Sequence, residues 1–547
     1  MRVLDAVAET PLEYATVYNK RNGKATITNQ HGFFTLNELL PGDTLVVSYV
    51  GYSTFKSVVS EVLKTNFILL EPRSELVDEA VVIGSTGDLY ELFAKSRLSF
   101  DDNQKTAKTY FSLESRTLGK RVELLECYYN GIYSTYNVDA LLLKNGRLAL
   151  EKYANKYFIS HESSDAMCMH MLFVPNDRFP ESPFGMNKRK LKSIYELNLE
   201  SGFETEDGRE ALVVRFEPKK EKRKHFAGRA WLDAESQQLL KIELEIKEAG
   251  IHPFTPIFLE DEVELVNMNI TKTFKEMEKR MFVESINFEY QVHYLHTDGR
   301  TDVIDTKAVL YAYDYNDRFL LPIYSHGRPR DNDYRKINSI PYNHLFWKNF
   351  DEFKINDIRT RNQQFINSTK SITNQTLFDQ RAAQKRSILP NPLHHWAHQR
   401  FIFNNRPSPR MWPNRHSDIA QIFLDVNQFE DSLQIVTSTL IDAREVVVRN
   451  NGKFTDKLNI YFNLYFDLVE LERRKLQKTL EENCSSQEEV VSRFQQLWQD
   501  IDKRLKDFEH ETNRGEYMSG LKKYNELIKK ELGVDNFLFF GLKMDGE

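Results

Sequence analysis

Apolar and polar residues alternate at every second position through much of the first 325 residues, a pattern typical of strands with one buried face. Over residues 1–73 the alternating stretches are short, and turn signals such as Asn22-Gly23 and His31-Gly32 separate them. The pattern predicts short strands at 15–19, 24–28, 33–36 and 44–49. We therefore expect a small β-sandwich, with the core candidates Val17, Ile27, Phe34, Leu45 and Val47.

Residues 106–325 show the same period over longer stretches, after a linker at 74–105 that contains a predicted short helix near 88–95. Leu240, Ile242 and the apolar residues that follow at every second position mark one of these strands. We expect a strongly curved antiparallel sheet. In it, Trp231 and Ile242 should lie on neighbouring strands joined at 233–238.

The apolar spacing changes to three and four residues beyond residue 416, as it does on helices. One apolar stripe covers 419–440 and another covers 490–508, where Ser486 and Glu489 have the spacing of a capping box. This pattern predicts a helical bundle over residues 416–547. Residues 326–415 are rich in Asn, Arg, Gln and Pro, which predicts an irregular connector with one helix near 351–374.

The first 73 residues resemble the carboxypeptidase-regulatory-like, or transthyretin-like, domain. The motifs that carry the resemblance are Pro11-Leu12-x-x-Ala15-x-Val17, Thr28-Asn29-x-x-Gly32-x-Phe34, Pro41-Gly42-Asp43-x-Leu45 and Ser48-Tyr49-x-Gly51-Tyr52. The resemblance implies a cell-envelope protein of Bacteroidota type, located in the periplasm or at the outer membrane. Because Met1 begins inside the first strand of that domain, we expect an export signal upstream of this sequence; a cytoplasmic copy is the alternative.

The stretch from Gly228 to Ile242 is similar to a hairpin of lipoprotein-carrier-like incomplete β-barrel domains, and this looser resemblance covers roughly residues 85–325. Some relatives end in an outer-membrane barrel, from which the helical spacing of 416–547 departs. The expected fold class is therefore multidomain α+β. It comprises a transthyretin-like β-sandwich, a curved antiparallel β domain and a C-terminal helical bundle.

Composition and motifs argue against the common enzyme classes. The net charge of −6 and pI near 6.2 give the whole chain no attraction to nucleic acid. The sequence has no His-x-x-Glu zinc pair, no Gly-x-Ser-x-Gly elbow and no phosphate-cradling Gly-rich loop. Cys127, Cys168 and Cys484 lie far apart and are interpreted as buried thiols. We expect no enzymatic activity, no cofactor, no metal and no transmembrane helix.

Aromatic residues next to arginines form the candidate ligand or partner surface. Trp396, Phe401 and Trp412 are interleaved with Arg400 in the connector, and Trp231 lies in the carrier-like hairpin. Rings beside guanidinium groups could stack on sugars, or they could anchor the connector to neighbouring domains, which is the interpretation we favour.

Histidines and basic runs offer weaker signals. His394 and His398 would share one face of a helix, but no third ligand accompanies them, so ordinary packing is the expected role. Two basic runs, at 188–192 and 219–224, indicate either solvated loops or contact with anionic lipid.

The sequence thus predicts a non-enzymatic envelope protein that binds or scaffolds envelope proteins or outer-membrane components, with lipid or glycan as further candidate ligands. One alternative is a carrier of a lipid or other apolar ligand in an open half-barrel. The other is an unrecognised hydrolase that uses acids such as Asp165 or the pair Asp261/Glu262. An unfilled apolar face would favour the carrier, and a face plugged by the chain itself would favour the scaffold.

Overall fold

The structure is a computed structural model of the 547-residue chain. It describes residues 1–29, 31–73, 89–96, 104–152, 163–205, 208–220, 222–256, 260–325, 336–337, 342–350, 352–353, 355–367, 372–373, 393–397, 400, 420–429, 432–442 and 456–541. These residues form two compact units. The first is Met1–Phe319 with Asp351–Ile372, and the second is Leu320–Phe350 with Thr373–Glu547.

The first unit begins with the β-sandwich. Its elements are β1 Arg2–Asp5, β2 Thr16–Asn19, β3 Ala25–Ile27, β4 Thr44–Ser48, β5 Phe55–Val58, α1 Val59–Val62 and β6 Phe67–Leu70. One sheet has the order β3-β2-β4-β5, and β1 pairs with β6 in parallel. All the predicted core residues are buried there: Val17, Ile27, Phe34, Leu45 and Val47.

The predicted strand at 33–36 is wrong. Phe33 makes only an isolated bridge with Arg2, and the chain then turns away through Glu38, which has a positive φ of 58°. Phe34 nevertheless reaches the sandwich core, because its N–H donates to the carbonyl of Met1.

A large antiparallel sheet forms most of the first unit. After helix α2 Leu89–Lys95, it contains β7 Lys105–Thr117, β8 Lys120–Ser134, β9 Asn137–Leu150, β10 Tyr195–Glu204, β11 Glu210–Pro218, β12 Ala227–Asp233, β13 Leu239–Ile246, β14 Glu262–Met277, β15 Arg280–Leu295 and β16 Thr301–Asp314. The helices α3 Ser163–Met169 and α4 Lys188–Ile194 lie between β9 and β10 in the chain. The order of the described strands is β10-β11-β12-β13-β14-β15-β16-β7-β8-β9, with the two-residue Ile372–Thr373 next to β9.

Strand alternation gives this curved sheet two chemically different faces. On the face called here the apolar face, the register aligns Leu244 with Ile270, Ile270 with Phe288, and Phe288 with Ala308. The other, called the polar face, aligns residues such as Glu243 with Thr271 and Glu289 with Lys307. The hairpin predicted at 233–238 is confirmed, and it pairs Ala230 with Ile242.

The second unit combines a small sheet with helices. Its described elements are β17 Ile323–Tyr324, α5 His344–Asn349, β19 Leu393–His395, β20 Ala420–Phe429, β21 Ser432–Asp442, α7 Asp456–Asn483, α8 Gln487–Thr512, α9 Met518–Leu532 and α10 Asn536–Phe539. Between α5 and β19 the chain also forms α6 Asn356–Ile366, which belongs to the first unit, and the short strand β18 Ile372–Thr373. The sheet order is β17-β20-β21-β19. Side chains of β20, β21 and the helices share one core, which contains Ile422, Ile460, Phe494 and Leu521.

The predicted helix over 419–440 is wrong, since these residues form the hairpin of β20 and β21. Ile422, Leu424 and Val426 also fit a period of two, and β21 is rich in β-branched residues, which favour strands. A helix-like spacing and a strand-like spacing therefore coincided in one short stretch. Helices follow from residue 456 onward, and Ser486 caps α8 by accepting the N–H of Glu489 at 3.2 Å.

The connector contains more regular structure than predicted. The helix expected near 351–374 is present as α6, but α5 is an additional helix. The predicted fold class is confirmed: the chain is mixed α+β with an N-terminal β domain, a large curved antiparallel sheet and C-terminal helices.

Candidate functional site

The apolar face of the large sheet is covered by other parts of the first unit. From α2, Phe93 stacks on Phe184 with ring centres 4.9 Å apart, and its edge meets Phe216 of β11. Further along, Phe179 lies against Phe288, and Phe254 lies 4.4 Å from Tyr290, both on β15. These aromatic side chains fill the face with the chain's own residues rather than leaving an open groove.

A buried lysine lies beneath this cover. Lys272 occupies an apolar-face position of β14, is fully buried, and donates from Nζ to the carbonyl oxygen of His170 at 2.7 Å. Burial lowers the pKa of Lys272 to about 7, although the nearby Cys168 opposes the shift. The same burial lowers the pKa of His170 well below its usual value, so that imidazole is neutral. An amine with this pKa could act as a base, but Phe179 and Phe226 pack on His170 above it.

A cavity of about 120 Å³ lies at the edge of the same cover. Its shape depends on the turn at Gly185, which has a φ of +79° and where a Cβ atom would come within 2.3 Å of the Phe173 carbonyl oxygen. Apolar and polar side chains both line it, among them Met171, Leu172, Val174, Phe179, Phe184, Met186, Glu181, Asn187 and Lys190. A volume of this size lies well below the roughly 300–1,000 Å³ of typical ligand pockets.

Two separate parts of the first unit cover areas of the polar face. On one side, Phe353 stacks on Tyr313 with ring centres 4.7 Å apart, and the Tyr128 hydroxyl donates to the carbonyl oxygen of Phe353. On the other side, the sandwich contacts the sheet, where Thr16 donates to Glu284 at 3.3 Å. Burial raises the pKa of that Glu284 carboxyl group. The chain therefore covers parts of the polar face, while polar-face side chains such as Lys307 and Arg229 stay partly exposed.

A buried ion pair lies under the covering segment at 355–367. Glu126 accepts from Arg147 Nε at 2.8 Å, from the Tyr110 hydroxyl at 2.8 Å and from the Asn362 amide at 3.1 Å. Arg147 also donates to Gln363 at 2.8 Å. Because two of these partners belong to α6, the network holds this helix on strands β7, β8 and β9.

Trp231 lies on the polar face of β12, at the contact with the sandwich. Its side chain is 9% exposed and clusters with Val213 and Val50, while Lys241 Nζ lies 4.4 Å from the centre of its ring. The same ammonium group lies 5.1 Å from the Tyr49 ring of the sandwich. The structure thus places Trp231 inside the first unit, on the opposite side of the sheet from the cavity.

The connector residues meet in the second unit. Trp396 and Arg400 both donate to Asp467 of α7, at 2.8 and 2.6 Å, and Arg400 also reaches Asn536 at 3.2 Å. Arg400 and Asp467 are buried, so these contacts fix the end of the connector to the helices. Phe401 and Trp412 lie outside the described residues.

The histidine hypothesis is wrong in its helical geometry. Leu393–His395 pairs with β21 as a strand, and His395 Nδ1 lies 3.1 Å from the Ser438 hydroxyl. The side chain of His394 and the whole of His398 lie outside the described part of the structure. Within the described part of the chain, no group of three His, Cys, Asp or Glu side chains is suited to hold a metal ion.

Asp261 and Glu262, the pair of acids named for a hydrolase, lie in different environments. Asp261 is buried, and it accepts from the Tyr294 hydroxyl at 2.9 Å and from Thr297. Burial alone would raise its pKa, but these hydrogen bonds outweigh that effect and lower the pKa, so the group is a structural carboxylate. Its neighbour Glu262 is exposed at the start of β14, and the side chain of Asp165 is outside the description.

Sequence reasoning missed Lys272 and the cavity. Lys272 follows Val266, Met268 and Ile270 at every second position, so the alternation itself already placed this lysine on the buried face. A charged residue at such a position is a usable signal. The cavity has no comparable signal in the sequence, because it depends on the long-range contacts of residues 171–190.

Comparison with known proteins identifies the first domain only. Residues 2–82 match the family model of the CarboxypepD_reg-like domain, which confirms the resemblance of the N-terminal motifs. No curated protein sequence matches the chain.

Similar solved structures are remote. MucB aligns at 10% identity and a TM-score of 0.16, over 42% of this chain and 93% of that one. A domain from Vibrio parahaemolyticus described as an outer membrane lipoprotein-sorting protein aligns at 14% identity and a TM-score of 0.17, over 42% and 92%. A LolA superfamily protein from Nitrosomonas europaea gives 10% identity and 0.15, over 43% and 95%. Scores this low carry no argument about this chain.

Proposed function

We propose that this chain is a non-enzymatic binding or scaffold protein of the bacterial cell envelope, located in the periplasm or at the outer membrane. The observation that carries the proposal is that the chain's own side chains fill the apolar face of the large sheet and cover parts of its polar face. Phe93, Phe179 and Phe254 fill the apolar face, and Tyr49 and Phe353 lie on the polar face. Such a sheet lacks an open apolar groove at these residues, and its exposed polar side chains, such as Lys307, are available to partners.

The envelope location is supported by the CarboxypepD_reg-like match at residues 2–82 and by the envelope proteins that its motifs resemble. The sandwich contacts the sheet through Thr16 and Tyr49, so it forms one unit with the sheet. Among the described residues, no helix is both long and apolar enough to cross a bilayer.

The proposal is tested first by turnover. The purified full chain is expected to give no hydrolysis of peptide, ester or nucleotide substrates above that of Lys272→Met, since the titratable groups described above hold other parts of the protein. Turnover that disappears in Lys272→Met would overturn the non-enzymatic assignment. Fractionation of native cells should recover the protein with periplasmic or outer-membrane markers, and recovery from the cytoplasm alone would refute the envelope location.

A carrier of a small apolar group is the second candidate, and the cavity beside Met171 and Phe184 is the observation that favours it. If the cavity holds the end of an acyl chain, a fluorescent fatty acid should bind saturably and be displaced by unlabelled lipid. Met186→Trp would fill the cavity and abolish this binding, because Met186 lines it and is buried. Val7→Trp is the matched control at an exposed position of the sandwich. The carrier function would be ruled out if the parent chain did not bind the fatty acid, or if both variants lost binding equally.

A further inference from the structure

The fold joins the two basic runs of the sequence into one surface. This surface, called here the basic patch, consists of Lys188, Arg189, Lys190, Lys192, Lys219, Lys220, Lys222, Arg223 and Lys224. The first run is on α4, and the second follows β11. They are separated in sequence by the whole of β10 and β11, so their proximity is a property of the hairpin that these strands form.

The two runs meet at both ends of the patch. At one end, Lys219 Nζ donates to the Lys192 carbonyl oxygen at 2.8 Å, and Lys219 N donates to the carbonyl of Ile194. At the other end, Glu181 N donates to the Lys224 carbonyl oxygen at 2.9 Å, while the Glu181 carboxylate accepts from Lys190 Nζ at 2.9 Å. The backbone thus holds the cations of both runs side by side.

Two carboxylates offset part of this charge. Glu91 pairs with Lys188 at 3.2 Å, and Glu181 pairs with Lys190. Glu221, inside the second run, lies outside the described residues. Arg189, Lys192 and the described cations from Lys219 to Lys224 are exposed, so the patch stays cationic on a chain of net charge −6. Local charge of this kind acts on a surface within about 8 Å at physiological salt, whatever the total charge.

Exposed apolar side chains adjoin the basic patch. Met171 and Val174 are each 38% exposed, and they line the same cavity as Glu181 and Lys190 of the patch region. Met169, two residues before Met171 in the chain, is 36% exposed. Large apolar side chains beside clustered lysines form an amphipathic surface, in which the apolar groups can enter the headgroup layer while the cations meet the phosphates.

We propose that the basic patch and the apolar rim of Met169, Met171 and Val174 dock the first unit on the surface of an anionic phospholipid bilayer. The occupant is fixed by charge complementarity, since the cations match lipid phosphates and the adjoining side chains match the acyl boundary. The inference rests on the proposed envelope function and names its lipid partner. It can fail while the turnover and fractionation results stand.

The test is sedimentation of the full chain with vesicles of phosphatidylcholine containing about one third phosphatidylglycerol. The double variant Lys220→Gln with Lys222→Gln should lower the partition constant about thirtyfold, because each removed charge costs about 1 kcal/mol of binding free energy. The matched control is Lys478→Gln with Lys530→Gln, two exposed lysines of α7 and α9, and it should bind as the parent chain does. Raising the salt from about 0.1 to 0.5 M should lower the partition constant of the parent chain more than that of the patch variant.

A second variant tests the apolar rim. Met171→Ser with Val174→Ser should lower the partition constant roughly tenfold and leave its salt dependence unchanged, because apolar burial is insensitive to screening. A circular dichroism spectrum identical to that of the parent shows that each variant is folded.

Three results would overturn the inference. They are equal binding to pure phosphatidylcholine vesicles, equal weakening by the patch and control pairs, and absence of sedimentation with anionic vesicles. Binding to a soluble polyanion such as heparin without binding to vesicles would assign the patch to a different class of partner and would also refute bilayer docking.

Discussion

Glu126→Ala is expected to lower the free energy of unfolding by about 3–5 kcal/mol, because it leaves a buried guanidinium group without its countercharge. Arg147 is fully buried and Glu126 is 1% exposed, so water cannot replace the lost carboxylate. The Tyr110 hydroxyl and the Asn362 amide also donate to this carboxylate and would lose their acceptor.

The measurement is urea unfolding of the full chain, followed by the strand signal in circular dichroism. Glu200→Ala is the matched control, since Glu200 pairs with Arg229 at 2.7 Å on the same sheet but is partly exposed, and its removal should cost below about 1 kcal/mol. Adding Arg147→Met to Glu126→Ala should restore much of the loss, because the unpaired charge is then gone. Equal losses for Glu126→Ala and Glu200→Ala would show that the buried pair is not a special feature of the fold.

The sequence was sufficient to predict the parts of the fold that depend on local pattern. Period-two alternation located the sandwich and the large sheet, and in both the buried side of each strand follows from the chain alone, as with Val17 and Ile242. Helices beyond residue 456 followed from spacing in the same way. The error at 419–440 arose because a short amphipathic stretch can satisfy both periods, and only the pairing of β20 with β21 decides between them.

The covering of the sheet could not be predicted, because it depends on contacts between residues far apart in the chain. Phe353 meets Tyr313, and Phe179 meets Phe288, through packing that no local pattern encodes. Trp231 shows the same limit. Its place on a strand next to that of Ile242 was predicted from the hairpin, but its contact with Lys241 and with the sandwich residues from far earlier in the chain was not. The basic runs were visible as two separate features, and only the β10–β11 hairpin makes them one surface.

The lowered pKa of the buried Lys272 should make the free energy of unfolding depend on pH. In the unfolded chain a lysine has its ordinary pKa of about 10.4, whereas burial lowers the pKa of Lys272 to about 7 in the folded protein. Between these values the unfolded state binds a proton that the folded state does not hold. Stability from this group therefore rises with pH above about 7, by up to about 1.4 kcal/mol per pH unit, and levels off as the pH approaches 10.4.

The test compares urea unfolding of the parent chain with that of Lys272→Met between about pH 7 and pH 9, which lies within the range of this linkage. Methionine keeps the apolar length of the side chain without the ionisable amine, so the parent should gain about 2–3 kcal/mol relative to the variant across that interval. Lys275→Met, at an exposed position of the same strand, should follow the parent profile. Parallel profiles for the parent and Lys272→Met would show that the buried ammonium group keeps its proton, and that the His170 carbonyl stabilises the charged form far more than its single hydrogen bond implies.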